Sequence, residues 1–410
     1  MSMLLLWQSK GLKFRIRQWL RTLVCMLFTS AAYGYELNNE SWQVHGFLAQ
    51  GIIDVNGTNF VSDEDELSTD LTELGVNASY RVNDIIRLTG QAVYLNGGNR
   101  YVEGARIDYA LVDIGLLHDE NWLVNLYLGR YKNNNWLYSS TRDIPHARPS
   151  IILPQSIYFD GFRDIAMGSD GAALKISYSS EEYGNFDINL NYGASKLSTK
   201  DVKLLLGDLV HGKGDQEYDA QGSFYWQPEL SPWQFGFSML DAKFKYQHTE
   251  LDFLTDATFT FQQYTANVMY EGEKWQFSSE IFQQHFTIEG LYFNGFENKS
   301  LGQGAFIQSQ YNYNNQLSFL VRGERFYQDK DDKNGSKLEV ISQGTVPRYF
   351  AYQNDLTFGV SYDFSSSFRM QLEYHQVEGT ARLTPIVLPN AAINDREKWS
   401  IFAVQLMYWF

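Results

Sequence analysis

The sequence predicts an all-β protein, a transmembrane antiparallel barrel of about sixteen strands. Three observations support this prediction. Apolar and polar residues alternate with a period of two over successive stretches, as in strands with one apolar and one polar face. Short and long connections between these stretches alternate strictly along the chain. The last stretch ends the chain in an aromatic residue that follows a row of alternating apolar residues.

The N-terminal segment, residues 1–34, is predicted to be a secretory signal peptide. It contains five basic and no acidic residues, then an apolar run, then small residues that end at Gly34. That order is typical of a signal peptide that is cleaved at this point; the alternatives are a wrongly assigned start codon and an uncleaved anchor. The only cysteine, Cys25, lies in this segment, so the mature chain 35–410 cannot use disulfides.

The composition of the mature chain excludes several classes of protein. It has 28 basic and 48 acidic residues, a net charge of −20, whereas nucleic-acid binding requires a basic surface. The mean hydropathy of the full 410-residue sequence is −0.35, and no run of 18 apolar residues follows residue 34, which excludes a helical membrane protein. The aromatic content of 16% argues against disorder. The composition therefore fits an ordered, acidic β-protein.

The connections between the predicted strands indicate which kind of β-protein this is. Seven are tight reversals, at 81–84, 118–121, 181–184, 228–232, 271–273, 313–316 and 365–367. Eight are longer polar segments, at 56–72, 95–104, 132–168, 198–215, 247–258, 287–302, 328–350 and 379–397. Short periplasmic turns that alternate with longer outer loops are typical of transmembrane β-barrels. A lipid-exposed sheet must also close, because an open edge would leave backbone groups unpaired.

Tryptophans at the predicted strand starts support the same interpretation. Trp122, Trp233, Trp275 and Trp399 each lie beside a turn or loop, where an interfacial aromatic girdle belongs. A soluble β-sandwich or propeller also alternates apolar with polar residues and is the alternative fold. It does not explain the strict alternation of short and long connections.

The C-terminal strand, WSIFAVQLMYWF, is the most specific feature of the sequence. Its apolar face contains Phe402, Val404, Leu406, Tyr408 and the terminal Phe410. This pattern resembles the last strand of Gram-negative outer-membrane porins, and the whole mature chain resembles the 16-stranded general porins in architecture. The resemblance implies that these five residues form an insertion signal for the barrel-assembly machinery. It also implies the cell outer membrane as location, outer-membrane lipid and lipopolysaccharide as partners, and a homotrimer.

The resemblance further implies that the third long loop, 132–168, folds into the lumen as a constriction. This loop connects predicted strand five, Trp122 to Tyr131, with strand six, Ser169 to Tyr178. It resembles the loop of porin-like proteins that contain R-D…R-P-S-I-x-L-P-Q-S-I-Y-F-D. It lacks the PEFGG-type motif of enterobacterial general porins, so the constriction residues of those proteins cannot be carried over. Five of its apolar residues are expected to pin it to the inner wall: Ile151, Ile152, Leu153, Ile157 and Phe159.

Charged residues of this loop are the candidate pore constriction, because rings of charge bias ion passage. They are Arg142, Asp143, Arg148, Asp160, Arg163 and Asp164. The alternative for each is a salt bridge that only holds the loop in shape. Charge on the lipid side would cost ~2–4 kcal/mol at the bilayer midplane, so polar strand residues should face the lumen. This set comprises Arg87, Glu280, Arg322, Glu324, Arg369, Glu373 and His375; Arg106 and Asp108 belong to a predicted strand of ambiguous register.

These features predict an outer-membrane porin that passively conducts small hydrophilic solutes and ions, without cofactor or metal. The seven histidines are scattered singly, and neither G-x-S-x-G nor H-E-x-x-H occurs, so no catalytic residue is predicted. A barrel that acts mainly as an adhesin or receptor, or as a substrate-selective channel, is the alternative function. The net acidity predicts a mild preference for cations.

Overall fold

The described residues, 41–63, 67–166 and 168–410, form a closed barrel of sixteen antiparallel strands in a computed structural model. Each strand pairs with its neighbours in sequence, and β1 pairs with β16 to close the barrel. The predicted signal peptide lies outside the described residues. The strands are β1 (Trp42–Asn56), β2 (Thr72–Arg81), β3 (Ile86–Asn96), β4 (Gly104–His118), β5 (Trp122–Lys132), β6 (Gly168–Ser180), β7 (Gly184–Ala194), β8 (Lys213–Gln227), β9 (Trp233–Gln247), β10 (Ala257–Glu271), β11 (Trp275–Gly290), β12 (Glu297–Asn312), β13 (Leu317–Tyr327), β14 (Tyr352–Ser365), β15 (Phe368–Gly379) and β16 (Lys398–Trp409).

The connections confirm the predicted alternation of short and long segments. Short turns such as 119–121 and 366–367 all lie at one end of the barrel, called here the short-turn end. The long loops lie at the other, the long-loop end. The described residues of these loops include three short helices: α1 (Arg163–Ala166), α2 (Thr199–Leu206) and α3 (Ser336–Ile341). Single 3₁₀ turns lie at Gly98–Arg100, Pro145–Ala147, Asp160–Phe162 and Arg348–Ala351.

The two faces of each strand differ as the sequence predicts. In β15, the side chains of Phe368, Met370, Leu372 and Tyr374 lie on the outer face. The intervening Gln371, Glu373 and His375 are buried on the inner face. Because side chains alternate across a strand, this one pattern produces an apolar exterior and a polar interior. The predicted outer faces of β5 and β6 are confirmed in the same way.

An aromatic girdle surrounds the short-turn end. Tryptophans contact tyrosines of the neighbouring strand in tilted ring pairs, with ring centroids 4.5–4.8 Å apart: Trp122–Tyr178, Trp233–Tyr270 and Trp275–Tyr311. The prediction for Trp399 is wrong. The period of two places Trp399 on the inner face of β16, where it is buried and its Nε1 donates to the Gly379 carbonyl at 2.9 Å.

Two irregularities in β4 explain why its register is ambiguous in the sequence. In the pairing of β4 with β3, the register shifts between Gln91 and Ala92 of β3. In the pairing of β4 with β5, it shifts between Gly115 and Leu117 of β4. Each shift inserts an extra residue, so the apolar alternation changes phase within the strand. Asp108 is held on the inner face, where it accepts from Gln91 at 2.7 Å. Arg106 pairs in register with the inward-facing Val93.

The C-terminal residue completes the closure between β1 and β16. The Phe410 N–H donates to the Gly46 carbonyl at 3.0 Å, and the Gly46 N–H donates back at 3.1 Å. All five predicted insertion-signal residues lie on the outer face, where Phe402, Leu406 and Phe410 are exposed. Their recognition by an assembly machinery stays a prediction.

Candidate functional site

The third long loop, 133–167, packs against the inner face of the barrel through two apolar anchors. Ile151 and Ile152 are buried with residues of β1, β15 and β16: Ile53, Val377, Ile401 and Ala403. Leu153 and Ile157 are buried with residues of β9 to β13: Leu240, Ala242, Phe261, Phe282, Phe306 and Phe326. These two wall regions belong to different parts of the circumference, so the loop crosses between them.

Carboxylates on the inner face accept hydrogen bonds from the backbone of the loop. Glu373 accepts from the N–H of Ile151 and, at 3.1 Å, from that of Ile152. Glu324 accepts from the N–H of Ser156 at 2.7 Å. An irregular segment lacks the partners that a sheet or helix provides, and buried N–H groups need acceptors. The inward-facing carboxylates supply them.

A third carboxylate, Glu280, binds the loop at two points. It accepts from the N–H of Leu137 at 3.0 Å and from the Tyr158 hydroxyl at 2.6 Å. Glu280 lies on β11, whereas Glu373 lies on β15. The loop backbone is therefore held from separate strands of the wall.

Cationic residues of the inner face bind the carbonyls of the same loop. Arg322 donates to the Ile152 carbonyl and to the Ser150 hydroxyl, each at 3.0 Å. Arg369 donates to the His146 carbonyl at 3.1 Å and pairs with Asp363. The inner wall thus provides acceptors for the N–H groups of the loop backbone and donors for its carbonyl groups.

His375 and Arg87 complete the predicted inward-facing set, and they lie in different surroundings. The buried His375 ring lies between the carboxylates of Asp355, at 2.8 Å, and Glu373, at 3.3 Å. It therefore supports the carboxylate that holds Ile151 and Ile152. Arg87 is exposed near the short-turn end of β3.

The charged residues of the loop form ion pairs with one another and with the wall. Arg142 donates to Asp160 at 2.6 Å and to the Tyr158 carbonyl at 2.9 Å. Arg163 donates through Nε to Asp143 at 2.7 Å. Asp143 also accepts from Lys132 of β5 at 2.7 Å. Five of the six predicted constriction residues are thus brought together with partners; nothing is described of the Asp164 side chain.

Burial and pairing together determine the protonation of these loop groups. Burial alone would raise the pKa of Asp143, but the Arg163 guanidinium and the Lys132 ammonium hold it well below its usual range. Burial would likewise raise the pKa of Asp160, which Arg100 and Arg142 lower instead. Burial would lower the pKa of Arg163, and the Asp143 carboxylate raises it. The neighbouring cations therefore favour the ionised forms of the Asp143 and Asp160 carboxyl groups.

These ion pairs agree with the alternative interpretation of the loop charges, in which salt bridges only hold the loop in shape. Arg142, Asp143, Arg148, Asp160 and Arg163 are each at most 7% exposed. Their charged groups face partners and not open solvent. A role for them in ion selection stays a prediction, whereas their contacts stabilise the loop.

The inner face is more open toward the short-turn end. Two adjoining cavities of about 350 and 210 Å³ lie below the loop and share Arg148, Pro149, Gln310 and Arg369 as lining residues. Inward-facing residues of β3 to β7 in this half of the barrel are exposed or half-buried: Arg87, Asp113, Asn125, Tyr127, Lys175, Ser177 and Asp187. At the height of the loop, by contrast, the inner wall of β8 to β16 is buried, as Asp219, Glu280, Arg322 and Gln405 show.

Several residues of the network were not identified from the sequence. Glu73 of β2 binds Arg148 through two hydrogen bonds of 2.7 and 3.1 Å. Arg100 pairs with Asp160 at 3.5 Å, and the Arg163 guanidinium lies 4.4 Å from the ring centre of Tyr101. Glu73 occupies one of the alternate β2 positions that face the barrel interior, so the period of two in the sequence could have identified it. Arg100 and Tyr101 belong to a loop, where no periodicity marks them.

Arg382, in the eighth long loop, is a further contact that sequence reasoning missed. It donates to the Ser156 carbonyl at 2.9 Å and lies 3.5 Å over the centre of the Phe326 ring. Burial lowers its pKa to about 9. The eighth loop thus joins the third loop inside the long-loop end.

The described residues contain no group of three or more His, Cys, Asp or Glu side chains arranged to bind a metal ion. Within the same residues, no helix is long and apolar enough to cross a membrane.

Comparisons with solved structures identify the fold. OmpT of Vibrio cholerae, an outer membrane protein folded in vitro and solved in a trimer form, matches with a TM-score of 0.55 at 12% identity, over 90% of this chain and 99% of that one. An anion-selective porin from Comamonas acidovorans matches with a TM-score of 0.53 at 12% identity, over 90% and 99% of the two chains. Salmonella typhi OmpF in complex with daunomycin matches with a TM-score of 0.54 at 10% identity, over 90% and 97%.

No protein-family model and no curated protein matches the sequence. The structural matches nevertheless extend over nearly the whole barrel. At 10–12% identity they show the fold and leave the activity open. The chain therefore has the closed, 16-stranded fold of the outer-membrane porins.

Proposed function

We propose that the protein resides in the Gram-negative outer membrane and forms a porin-type channel for small hydrophilic solutes and ions. The observation that supports this most is the closed sixteen-stranded barrel with an apolar exterior and a charged, polar interior. A barrel of this size encloses an aqueous passage unless its own loops fill it. The short-turn end faces the periplasm and the long loops face outward. The protein acts without catalysis or a cofactor.

The packing of the third loop supports a narrow channel with low conductance. Wall carboxylates and arginines hold the loop from several strands, and the wall beside it is buried. We place the constriction between this loop and the inner wall. Solutes reach it from the periplasm through the open half, where Arg87, Asp113, Lys175 and Asp187 lie.

Planar-bilayer recording of the purified mature chain tests this function. The expected result is stepwise current increments after insertion, smaller than those of a barrel whose third loop is removed. Liposome-swelling assays with neutral sugars of increasing size then measure the size limit. Absence of steps from correctly folded, inserted protein would contradict the channel.

We further propose a homotrimer, as in the trimer form of OmpT and by resemblance to porins. The outer faces of β2 to β6 carry small residues, which allow a second barrel to approach closely: Ala78, Gly90, Ala92, Ala110 and Ala172. Mass photometry in detergent should give three chains per particle. Ala92→Trp should reduce that number, and monomers in wild-type protein would contradict the trimer.

The filled middle of the barrel favours one second function, a receptor or adhesin that uses the long loops. In that case the third loop would serve as a fixed plug, and the inner contacts would only stabilise the barrel. The bilayer recording separates the two functions, because a plugged receptor conducts neither before nor after addition of a solute. Block by one solute class would instead indicate a substrate-selective channel.

A further inference from the structure

An apolar pocket of about 70 Å³ lies inside the barrel at the long-loop end. Phe162 of the third loop lines it and packs edge-on against Phe261, with ring centroids 5.6 Å apart. The surface of the pocket is almost entirely apolar. This part of the interior therefore differs from the charged and polar wall around the third loop. The floor consists of inward-facing aromatic residues of β9, β10 and β11: Phe244, Tyr246, Phe259, Phe261 and Phe286.

Helix α2, in the fourth long loop, covers one side of the pocket. Ser198 caps its first turn: the Ser198 Oγ accepts from the Asp201 N–H at 3.2 Å, and the Asp201 carboxylate accepts from the Ser198 N–H at 2.7 Å. A capping box of this kind starts a helix at a defined residue. Val202 and Leu206, four positions apart, consequently share one face of α2, and both are buried. The helix therefore closes the pocket with its apolar face.

The eighth long loop covers the pocket beside α2. The N–H groups of Ile386 and Val387 both donate to the Leu205 carbonyl of α2, at 3.0 and 3.2 Å. All three residues line the pocket, and each is only half-buried. Gly214 of β8 lies beneath α2, and a Cβ added there would come within 2.7 Å of Val202, so the helix rests directly on the wall. Two loops thus meet over the pocket and share the Leu205 carbonyl.

The chemistry and the volume of the pocket determine what it can hold. Two lining residues with polar side-chain groups use them elsewhere: Lys245 pairs with Glu217, and the Tyr246 hydroxyl accepts from the Gly212 N–H at 3.3 Å. A buried water typically makes about three hydrogen bonds, which this surface does not offer. An apolar cavity of about 150 Å³ binds benzene or xenon. At about half of that volume, the pocket has room for a xenon atom or a short alkyl chain, but for a benzene ring only after enlargement.

We propose that this pocket binds a small apolar solute, of the size of a short alkane, which enters from the long-loop end between α2 and the eighth loop. Removal of apolar surface from water drives binding of this kind and needs no polar partner. The aromatic floor suits such a solute, because each ring offers a broad apolar face for contact. The inference goes beyond the proposed function, which concerns hydrophilic solutes, and binding at this site does not depend on conduction.

Phe286 allows the pocket volume to be changed in both directions at one position. It lies on β11, is half-buried, and stacks against Phe259 with ring centroids 6.2 Å apart. Phe286→Ala enlarges the pocket, and Phe286→Trp fills it. Val387→Phe fills it independently from the eighth loop and leaves every strand unchanged. Phe277→Ala is the matched control, because Phe277 belongs to the same strand but is exposed on its outer face.

Xenon NMR of the mature chain in lipid nanodiscs tests the proposal, with xenon as a probe that matches the pocket in size. Wild type and Phe277→Ala should bind xenon saturably and with equal affinity. Phe286→Trp and Val387→Phe should each bind it at least about five-fold more weakly, because the added atoms occupy the pocket. Benzene, followed by its proton signals in the same samples, should bind Phe286→Ala at least about ten-fold more tightly than wild type.

Three results would overturn the proposal. The first is the absence of saturable xenon binding by folded wild-type protein. The second is equal xenon affinity of wild type and both filled variants, each shown to be folded by heat-modifiable migration on gels. The third is equal benzene affinity of wild type and Phe286→Ala, which would contradict the size of the site. Binding is measured without current, so a failure of the channel function in planar bilayers is recognised separately.

Discussion

The guanidinium of Arg148 and the carboxylate of Glu73 form two parallel hydrogen bonds, 2.7 and 3.1 Å long. Arg148 comes from the third loop and Glu73 from β2, and both side chains are buried. Arg163 approaches the same carboxylate at 3.7 Å. Glu73 thus links two arginines of the loop to the wall.

Glu73→Gln should destabilise the barrel strongly, because it leaves buried arginine without its counter-charge. Breaking one partner of a buried ion pair typically costs about 3–5 kcal/mol. Urea unfolding in detergent micelles measures this loss. The control is Asp170→Asn at the more exposed Arg130–Asp170 pair, expected to cost less than about 1 kcal/mol. Equal losses in the two variants would contradict a structural role of the Glu73 pair.

His146 should make the stability of the loop depend on pH. Its ring stacks on Trp409 with centroids 4.5 Å apart, and burial, with Arg369 and Arg148 nearby, lowers its pKa to about 4. The unfolded chain binds the proton near the ordinary value of 6.5, so stability falls as the pH is lowered from about 6.5 to 4. His146→Gln should show a weaker decline over this interval in urea unfolding. Identical pH profiles would show that the ring is freely protonated when folded.

Gly46→Val should impair closure of the barrel at its last residue. A Cβ at Gly46 would lie 2.6 Å from the Phe410 ring, so that ring must move. Overpacking of this kind typically costs about 1–3 kcal/mol. Gly323→Ala is the control, since its Cβ meets nothing within 4 Å. The folded fraction after refolding into detergent should drop only for Gly46→Val, and an equal yield of both variants would refute the role of this contact.

The channel should prefer cations weakly. The mature chain carries a net charge of −20, whereas the open half of the interior mixes Arg87 and Lys175 with Asp113 and Asp187. The loop charges are paired internally, so they add little net field. Reversal potentials in planar bilayers under a salt gradient measure the preference. A clear anion selectivity would contradict this prediction.

The sequence was sufficient for the strands and their faces, because each strand carries its own period-two pattern. Phe368 to His375 shows this, since every second residue there is apolar and the structure places those residues outside. The pattern does not predict the faces of a strand where a register shift interrupts the alternation. In β4 the two register shifts change the phase of the alternation, and neither leaves a residue type that marks it.

The contacts of the third loop could not be predicted, because they join residues that are far apart in the sequence. Ile152 and Glu373 are 221 positions apart, and Arg148 and Glu73 are 75 apart. Only closure of the barrel brings such residues together. The charges of the loop were visible in the sequence, but their partners, above all Glu73 and Arg100, determine whether they are paired or face solvent.

The most direct test of a narrow porin channel compares single-channel conductance with and without the third loop. Residues 141–160 are replaced by a short Gly-Ser linker, and folding is checked by heat-modifiable migration. We predict small, resolved steps for the wild-type chain and steps several-fold larger for the shortened chain, because the wall would then enclose an open passage. No steps from either folded protein, or equal steps from both, would contradict the account.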